Sequence, residues 1–491
     1  MTATGGAPRP ITIGTDPVTA EEVLGIALGA GVRIGASARA RMAVSRSVLL
    51  DAVDRGDAVY GSTRRLGAGA DDAVADQAAF QLQVVRNHAG AFGDPVDPLV
   101  VRAAIATRIA QLALGGAGVR PQVADALAAL LGAGIVPLVR DRGSVGMADL
   151  ALNAAVAQVL IGEGVVLADD GTEVPGAEAL AAAGLEPLAL ELHEGLSLLN
   201  TNTFTIGAAV LLDPRLEGVG VAADAVVALS LEAAAAHRPS GDLGPYSPVV
   251  HADADGTGTA RSAAAIREAL QGSFLEEERE RRTQDELSFR SAPQVHGALS
   301  ERSDDLLTAV EDALVVRAEN PLVDVETRSV VPNGNFAAPD LTLGLESLRL
   351  ALAHVGRIST RRTAVLSALA RPLRAADRAG IPGLLAYAGA ERLVDLQQLA
   401  APVSLADVVL SEVEDYATWG WTAARTAHES VDAVLDLLGI EALHAASLLR
   451  DSPARSGSGT TPLRTALVAL LDRGGSAEEL LVGAQQVLLG D

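Results

Sequence analysis

The chain has 491 residues, of which 49% are hydrophobic, and its formal net charge at pH 7 is -24. This length and apolar content are sufficient for a large core and for more than one structural unit. The acidic charge argues against nucleic acid as a partner, because the neutralisation of phosphates needs clustered cations. The sequence has no basic stripe with interleaved aromatic residues.

Two residue types are missing from the sequence. The chain has no cysteine, which excludes disulfides, thiolate nucleophiles and most structural zinc sites and is compatible with a reducing cytoplasm. It has no lysine either, so all 38 basic residues are arginine and a Schiff-base lysine is excluded. No signal peptide and no run of about 18 apolar residues is present. We therefore expect a cytoplasmic protein without membrane contact.

In chain order, the predicted elements are mostly helices. Thr19 and Glu22 have the spacing of a capping box at the start of the first helix. Short pieces near residues 10–14 and 322–331 are the exceptions, with the β-branched character of strands. The alanine- and leucine-rich segments that predict further helices are 99–131, 148–162, 221–237, 303–318, 429–449 and 462–472. Glycine- and proline-rich breaks fall near 56–72, 132–146, 164–176, 238–258 and 330–340.

One later segment predicts an especially long helix. Apolar residues follow a 4-3-4-3 spacing there, which aligns them along one helix face. These residues are Leu341, Leu345, Leu348, Leu352 and Val355. An apolar stripe of this length needs a partner to pack against, so we expect the helix to lie in a bundle.

Several of the glycine-rich breaks carry motifs that occur in the same order in histidine and phenylalanine ammonia-lyases. They are AVYGSTRRLGAG, LQVVRNHAGAFGDPV, GVRPQVADALAALLGAGIVPLVRDRGSVG, EGLSLLNTN, QDELSFRSAPQVHGAL, ENPLV, NGNFAAP and SEVEDYATWG. Together these motifs span most of residues 55–425, and the chain therefore resembles the aromatic amino acid lyase superfamily. The resemblance implies a mainly α-helical fold, a long-helix bundle with an N-terminal loop-rich cap, and a homotetramer whose sites combine several subunits.

The resemblance also suggests how the chain is divided. We expect a flexible N-terminus over residues 1–15 and an N-terminal cap with the active-site loops over residues 16–200. The central long-helix bundle and the C-terminal helices should then occupy residues 201–491. On this division, four of the eight matching motifs precede or border the start of the bundle, and four lie within the later part.

One loop departs from the family pattern. Family enzymes form an electrophile, a methylidene-imidazolone, by cyclising an Ala-Ser-Gly triplet that follows GSVG and precedes DLAPL. Here the GSVG that contains Ser144 and ends at Gly146 is followed by Met147, Ala148 and Asp149, so the triplet has become Met-Ala. Cyclisation needs a central serine and a flexible glycine nitrogen, whereas Ser144 precedes a β-branched valine. We therefore predict a protein without methylidene-imidazolone and without another cofactor.

The resemblance implies roles for residues that still match the family pattern. Tyr60 matches the catalytic base on a mobile loop, Asn200 an amide beside the electrophile, and Glu414 a glutamate near the substrate's amino group. Arg290 matches the arginine that receives the substrate carboxylate, and its planar fork suits this task. The remaining matches would line the same substrate pocket: His88, Gln284, Asn333, Asn335 and Phe336.

Each match also has a purely structural interpretation. Asn200 would cap a helix end, and His88 would be a buried histidine bonded to the backbone. Arg290 would form a salt bridge between helices, while Glu414 and Asp415 would belong to a solvated acidic turn. The sequence leaves both interpretations open.

Other family positions have changed. Leu287 replaces a second catalytic tyrosine, and Thr201 replaces a glycine. Ala337 and Tyr416 each replace a histidine, and Val413 replaces a glutamine. Arg64 and Arg65 stand where the family pattern has threonine and glycine; they would either lower the pKa of Tyr60 or be solvated, as loop arginines usually are. Because several family residues remain unchanged beside these replacements, the pattern favours a pocket adapted to another function over a pocket that has lost its function.

Three functional hypotheses follow. The first is a cofactor-independent enzyme that uses Tyr60 as a base on an amino-acid-derived carboxylate substrate, in an elimination, addition, isomerisation or cyclisation. The second is a non-catalytic homologue that binds a ligand or a partner. The third is an enzyme with a mobile serine loop, as in the fumarase and aspartase group. Because that loop contains a lysine and this chain has none, the third hypothesis is disfavoured.

Overall fold

The computed structural model describes residues 10–168, 170–372, 380–407, 410 and 413–490. Most of these residues are helical, and the strands form four separate two-stranded sheets. The mainly α fold with a long-helix bundle is confirmed. Of the predicted flexible terminus, residues 1–9 lie outside the described residues, whereas Ile11–Ile13 form a short strand. The division at residue 200 stays a prediction, although a long helix begins at Thr203.

The N-terminal part consists of short helices and three small sheets. Its helices are α1 (Ala20–Ala27), α2 (Ala36–Asp54), α3 (Gln77–His88), α4 (Pro98–Ala113), α5 (Pro121–Gly132), α6 (Leu150–Leu160), α7 (Gly176–Ala182) and α8 (Glu194–Leu199). Its strands are β1 (Ile11–Ile13), β2 (Val32–Ile34), β3 (Phe92–Pro95), β4 (Arg140–Arg142), β5 (Val165–Leu167) and β6 (Glu173–Pro175). The β1–β2 pair is parallel, and the other two pairs are antiparallel.

The remainder of the chain contains the long helices. They and their neighbours are α9 (Thr203–Ala235), α10 (Gly258–Ala269), α11 (Leu287–Arg290), α12 (Ala292–Val315), α13 (Pro339–Leu369), α14 (Leu385–Leu399), α15 (Gly420–Leu449), α16 (Thr460–Arg473) and α17 (Ala477–Leu489). The antiparallel hairpin of β7 (Leu322–Asp324) and β8 (Ser329–Val331) precedes α13. Single 3-10 turns occupy Gly67–Gly69, Gly244–Tyr246, Pro248–Val250, Ala252–Ala254 and Phe274–Glu276.

Two local predictions from the sequence are confirmed. The Thr19 hydroxyl oxygen accepts a hydrogen bond from the Glu22 amide at 3.2 Å, and the Glu22 carboxylate accepts one from the Thr19 amide at 3.1 Å. These two bonds are the expected capping box of α1. The residues of the stripe from Leu341 to Val355 all lie on α13 with at most 2% exposure. Helices of the same chain cover them, so the stripe does not by itself require a second copy.

The most extensive helix contacts join α13 and α9 to α15, which places α15 at the centre of the bundle. The run Glu194–Ala235, which contains α8 and α9, is long and apolar enough to cross a membrane, and its most apolar 18-residue window has a mean hydropathy of 1.6. However, 72% of its most apolar window is buried inside the fold. A core helix has the same composition, and the burial of α9 is accounted for by its packing in the bundle.

A buried ion pair crosslinks these long helices. Arg362 on α13 donates from Nε and Nη2 to the carboxylate of Glu441 on α15, at 2.6 and 2.9 Å. Ser230 on α9 donates its hydroxyl to the same carboxylate at 2.7 Å. The third guanidinium nitrogen of Arg362 donates to the carbonyl oxygen of Ser288 at 2.8 Å. This arrangement connects the bundle to α11, the helix that ends at Arg290.

Candidate active site

A cavity of about 700 Å³ opens between the loop that follows α2, the α3 helix and the segment before α15. Its wall contains several residues that the sequence predicted for one pocket: Tyr60, His88, Asn200, Phe336 and Glu414. These residues come from distant parts of the chain, so the fold brings them together. Val145 and Met147, from the loop that replaces the electrophile, line the same cavity.

Gln284 and Arg290 are not part of this wall within one chain. Gln284 is exposed, and Arg290 lies half-buried at the end of α11. The Arg290 guanidinium makes no hydrogen bond or ion pair within the described part of the chain, and its Nε is buried without a partner there. The predicted carboxylate-binding arginine therefore does not meet Tyr60 in a single copy.

Asn333 and Asn335 also lie outside the cavity wall. The Asn333 side-chain amide donates to the carbonyl oxygen of Glu319 at 2.7 Å, and that of Asn335 donates to the carbonyl oxygen of Arg317 at 3.2 Å. These bonds tie the turn before α13 to the end of α12. The turn carries Phe336, whose ring lines the cavity, so within one chain the two asparagines support the wall rather than form it.

Tyr60 is held on a loop whose backbone is anchored. Its hydroxyl oxygen accepts a hydrogen bond from the Gly67 amide at 2.9 Å. Gly61 has a φ of +71° and lies against Leu196 so closely that a Cβ would stand 2.2 Å from its Cδ2 atom, which explains the glycine. The Gln81 side-chain amide donates to the carbonyl oxygen of Gly61 at 3.1 Å. The base of the loop is therefore fixed to α3 and α8.

The same loop is bonded to a buried histidine at the start of α8. The Ser62 hydroxyl and Nδ1 of His193 are 2.9 Å apart. Burial lowers the pKa of His193 to about 4, and the positive charge of Arg46 lowers this pKa further. His193 is therefore neutral at physiological pH, and it serves as a structural partner of the loop.

The electrostatics of Tyr60 differ from the expectation. Burial raises the pKa of Tyr60 above its usual 10, the hydrogen bond from the Gly67 amide lowers it by less, and the negative charge of Glu414 adds a smaller increase. The prediction that Arg64 and Arg65 lower this pKa is wrong for the isolated chain. Arg64 turns away and donates to the carbonyl oxygen of Asp71 at 2.9 Å. Tyr60 is therefore a neutral phenol in the unliganded chain.

Two polar side chains in the wall are oriented by the backbone. Nδ1 of His88 is 2.7 Å from the carbonyl oxygen of Val84, and because that oxygen can only accept, Nδ1 carries the hydrogen. Nε2 of a neutral His88 is then an acceptor. The Asn200 amide donates to the carbonyl oxygen of Asn320 at 3.1 Å, while Asn200 also ends α8. The structural and the pocket interpretations of these residues are thus compatible.

The altered loop is fastened by a buried carboxylate. The Ser144 hydroxyl donates to Asp149 at 2.7 Å and accepts from the Gly146 amide at 3.0 Å. Asp149 also accepts the backbone amide of Thr205, in the first turn of α9, at 2.9 Å. Burial raises the pKa of Asp149 to about 6, although the hydrogen bonds from Thr205 and Ser144 oppose the shift. The serine is therefore committed to holding the loop.

Between these anchors, Ala148 adopts a φ of +62°, in the left-handed region that favours glycine. Its amide donates to the carbonyl oxygen of Phe336 at 3.3 Å, and Met147 forms an isolated β-bridge with Ala337. The loop thereby packs against the segment that carries Phe336. This loop contributes Val145 and Met147 to the cavity wall.

The sequence did not indicate the apolar part of the wall, which is formed by Leu66, Phe80, Val84, Leu150 and Leu196. Leu66, Val84 and Leu196 lie in matched motifs, but their apolar side chains carry no signal that separates them from core residues, and Phe80 and Leu150 lie outside the motifs. Asn320 was identifiable, because it lies in the matched motif ENPLV. No cluster of three or more His, Asp or Glu side chains suited to a metal ion occurs among the residues that the structure describes.

Comparison with known proteins agrees with this architecture. The family model for aromatic amino acid lyases matches residues 18–469. Histidine ammonia-lyase from Streptomyces griseus is 34% identical over 481 residues, which cover 95% of this chain and 92% of that protein. A probable histidine ammonia-lyase from Halobacterium salinarum is 36% identical over 439 residues, which cover 84% of this chain and 82% of that protein. The chain belongs to the aromatic amino acid lyase family.

Solved structures show how closely this lyase family member keeps the fold. The ergothioneine-degrading enzyme ergothionase from Treponema denticola superposes with a TM-score of 0.90 at 24% identity, covering 98% of this chain and 99% of that one. Tyrosine aminomutase from Streptomyces globisporus superposes with a TM-score of 0.85 at 25% identity, covering 98% of this chain and 97% of that one. The same fold therefore carries several activities.

We predict that Asp149→Asn changes the pH dependence of stability of this lyase homologue. Because the pKa of Asp149 is about 6 in the folded chain and 3.8 in the unfolded one, the wild type loses stability as the pH rises from about 4 to 6. An asparagine does not titrate, so the variant should gain about 2–3 kcal/mol relative to the wild type between pH 4 and pH 7. Urea unfolding at one fixed protein concentration measures this, and parallel curves would contradict it.

Proposed function

We propose that this family member is a lyase that works without methylidene-imidazolone and uses Tyr60 to take a proton from an amino-acid-derived carboxylate substrate. Four features of the cavity support the proposal. Tyr60 and Glu414 share one wall, Met147 occupies the loop of the family electrophile, and Asn200 and His88 offer polar groups to a ligand. We infer that the protein acts in the cytoplasm.

The altered loop does not fit the family's prosthetic group. A methylidene-imidazolone needs a serine to dehydrate and a glycine nitrogen to attack, and Met147 and Ala148 supply neither. The nearby Ser144 is two residues upstream of Gly146, and its hydroxyl is held by Asp149. The chemistry must therefore come from the side chains of the cavity and from the substrate itself.

The reaction that best suits these side chains is an elimination in which the substrate brings its own leaving group. Without an electrophile, a simple ammonium group is not activated for departure. A substrate whose nitrogen is already a good leaving group, such as a quaternary ammonium, removes that need. Tyr60 would accept the β-proton, the electron pair of the C–H bond would form the double bond, and the amine would leave with the electrons of the C–N bond.

The charges around Tyr60 support a cationic substrate. In the unliganded chain, burial and Glu414 keep the pKa of Tyr60 high, so the phenol is neutral. A substrate cation placed beside Glu414 would offset the carboxylate charge and favour the phenolate. Substrate binding would thus lower the pKa of Tyr60 and favour the phenolate that accepts the proton. The fold is shared with an enzyme that degrades ergothioneine, which is compatible with an elimination of this kind.

We also propose that the functional site is completed in a homotetramer. Arg290 lies outside the cavity of its own chain, and its guanidinium has no partner within the described residues. Leu287, which is 65% exposed, shares its short helix. An exposed leucine beside an unpaired arginine suits a surface that meets a second copy. Arg290 would then enter a neighbouring chain's cavity and bind the substrate carboxylate.

The alternative is a non-catalytic homologue that only binds a ligand. It has the same cavity and the same altered loop, but it assigns no proton transfer to Tyr60. The role of the Tyr60 hydroxyl distinguishes the two functions. In a binding protein, this hydroxyl would only accept the hydrogen bond from the Gly67 amide.

The first prediction of this proposal concerns the polypeptide itself. Intact-mass measurement should return the mass of the unmodified sequence, and borohydride should not inactivate the protein. A mass deficit of two water molecules that maps to residues 143–149 would show that a prosthetic group forms in spite of the missing triplet.

The second prediction concerns Tyr60→Phe. On the substrate identified by screening amino acids and their N-trimethylated forms for amine release, this variant should lose about 10²–10⁴-fold in kcat. Binding of the substrate should change little, because only the proton-accepting oxygen is removed. The matched control is Tyr387→Phe, an exposed tyrosine on α14 outside the cavity. Full turnover in Tyr60→Phe would favour a different base or a different function.

The third prediction tests whether Arg290 acts in a neighbouring chain. Tyr60→Phe and Arg290→Ala should each be inactive alone. When the two variants are co-expressed, mixed tetramers should regain part of the activity, because some sites then combine an intact Tyr60 with an intact Arg290 from another chain. If light scattering shows tetramers and yet no activity returns, Arg290 and Tyr60 do not meet across chains.

A further inference from the structure

We propose that Arg65 binds an anionic group of the substrate inside the cavity. The proposal rests on the proposed function only in taking this cavity as the substrate site, and it does not depend on which residue moves the proton. Arg65 stands in the Tyr60 loop, at a position where the family pattern has glycine. Within the described part of the cavity wall it contributes the only guanidinium group.

Arg65 lies in the cavity wall and is exposed to solvent. Its guanidinium makes no hydrogen bond or ion pair within the part of the chain that the structure describes, although acidic residues outnumber basic residues by 62 to 38 in the sequence. Its neighbour Arg64, in contrast, donates to the carbonyl oxygen of Asp71 at 2.9 Å and does not line the cavity. Of these two adjacent arginines, only Arg65 lines the cavity, where its exposed guanidinium is open to a ligand.

The backbone of the loop fixes where Arg65 stands. The Arg65 amide donates to the carbonyl oxygen of Asp72 at 3.0 Å. The side chain passes Gly69, where a Cβ would lie 3.6 Å from the Cβ of Arg65 and 3.8 Å from its Cδ. The next turn begins at Gly67, whose amide is bonded to the hydroxyl of Tyr60. Arg65 is thus held in the same short loop as the proposed base.

The cavity wall carries charges of both signs. Glu414 and Asp415 contribute negative charge to the wall, and no carboxylate of a described residue lies within ion-pair distance of the Arg65 guanidinium. A ligand with its cation beside Glu414 and an anion beside Arg65 would satisfy both sides at once. The remaining wall is largely apolar, so these charges would set the orientation of the ligand.

A guanidinium fork recognises an oxyanion such as a carboxylate, sulfonate or phosphate. Two groups of an amino-acid-derived substrate could supply this oxyanion. One is the carboxylate attached to the carbon that bears the leaving group. The other is a second anionic group at the far end of the side chain, with Arg290 left to bind the first carboxylate. The experiment below distinguishes these two sources.

The probes are 3-(4-carboxyphenyl)propanoate, which has an anionic group at each end, and 3-phenylpropanoate, which has only one. Titration calorimetry measures the affinity of the full-length protein for both. Arg65→Gln should weaken binding of the dianion about three- to tenfold, because the guanidinium is partly solvated and its contribution is screened. Arg65→Lys should recover part of the loss. Arg64→Gln removes an equal charge from the same loop without touching the cavity and should change the affinity less than about twofold.

The two probes then identify the group that Arg65 binds. An equal loss for both probes assigns Arg65 to the propanoate carboxylate, and a loss confined to the dianion assigns it to the second anionic group. The proposal is overturned if Arg65→Gln leaves the affinity for the dianion unchanged, or if Arg64→Gln weakens it equally. Because the readout is binding, a result in favour of Arg65 would stand even if Tyr60→Phe retained full turnover.

Discussion

The buried ion pair between Arg362 and Glu441 is the interaction on which the rest of the fold depends. Both side chains have 0% exposure, and the hydroxyl of Ser230 completes the coordination of the carboxylate, so α9, α13 and α15 meet at one point. Removing one partner of such a pair leaves an uncompensated charge in the core and typically costs about 3–5 kcal/mol. The same guanidinium holds the carbonyl oxygen of Ser288, which fixes the short helix that presents Arg290.

A second buried acid connects the bundle to the cavity. Asp149 joins the altered loop to the first turn of α9 through Ser144 and Thr205. These bonds fix the position of the loop relative to the start of the bundle. Ala148 remains in a left-handed conformation that a glycine would adopt more easily. The loop therefore forms part of the cavity wall, to which it contributes Val145 and Met147.

The electrostatics of the cavity indicate what must come from outside the chain. Burial and Glu414 make the Tyr60 phenol a weak acid, so the chain does not activate its proposed base by itself. Arg65 and Arg290 both lack partners within the described residues, and one faces the cavity while the other does not. A charged substrate and a neighbouring copy would together supply the missing interactions.

The sequence by itself determined the helical class, the capping box of α1 and the buried stripe of α13, and its resemblance to the lyase family indicated that Tyr60, His88, Asn200, Phe336 and Glu414 share one pocket. Helix periodicity and short motifs are local properties, so they can be read without coordinates. Only the tertiary structure decided that Arg290 lies outside the cavity of its own chain, that Asn333 and Asn335 support its wall, and that the pKa of Tyr60 is raised. Burial and the distances between charges set these properties, and both arise from contacts between residues that are remote in the chain.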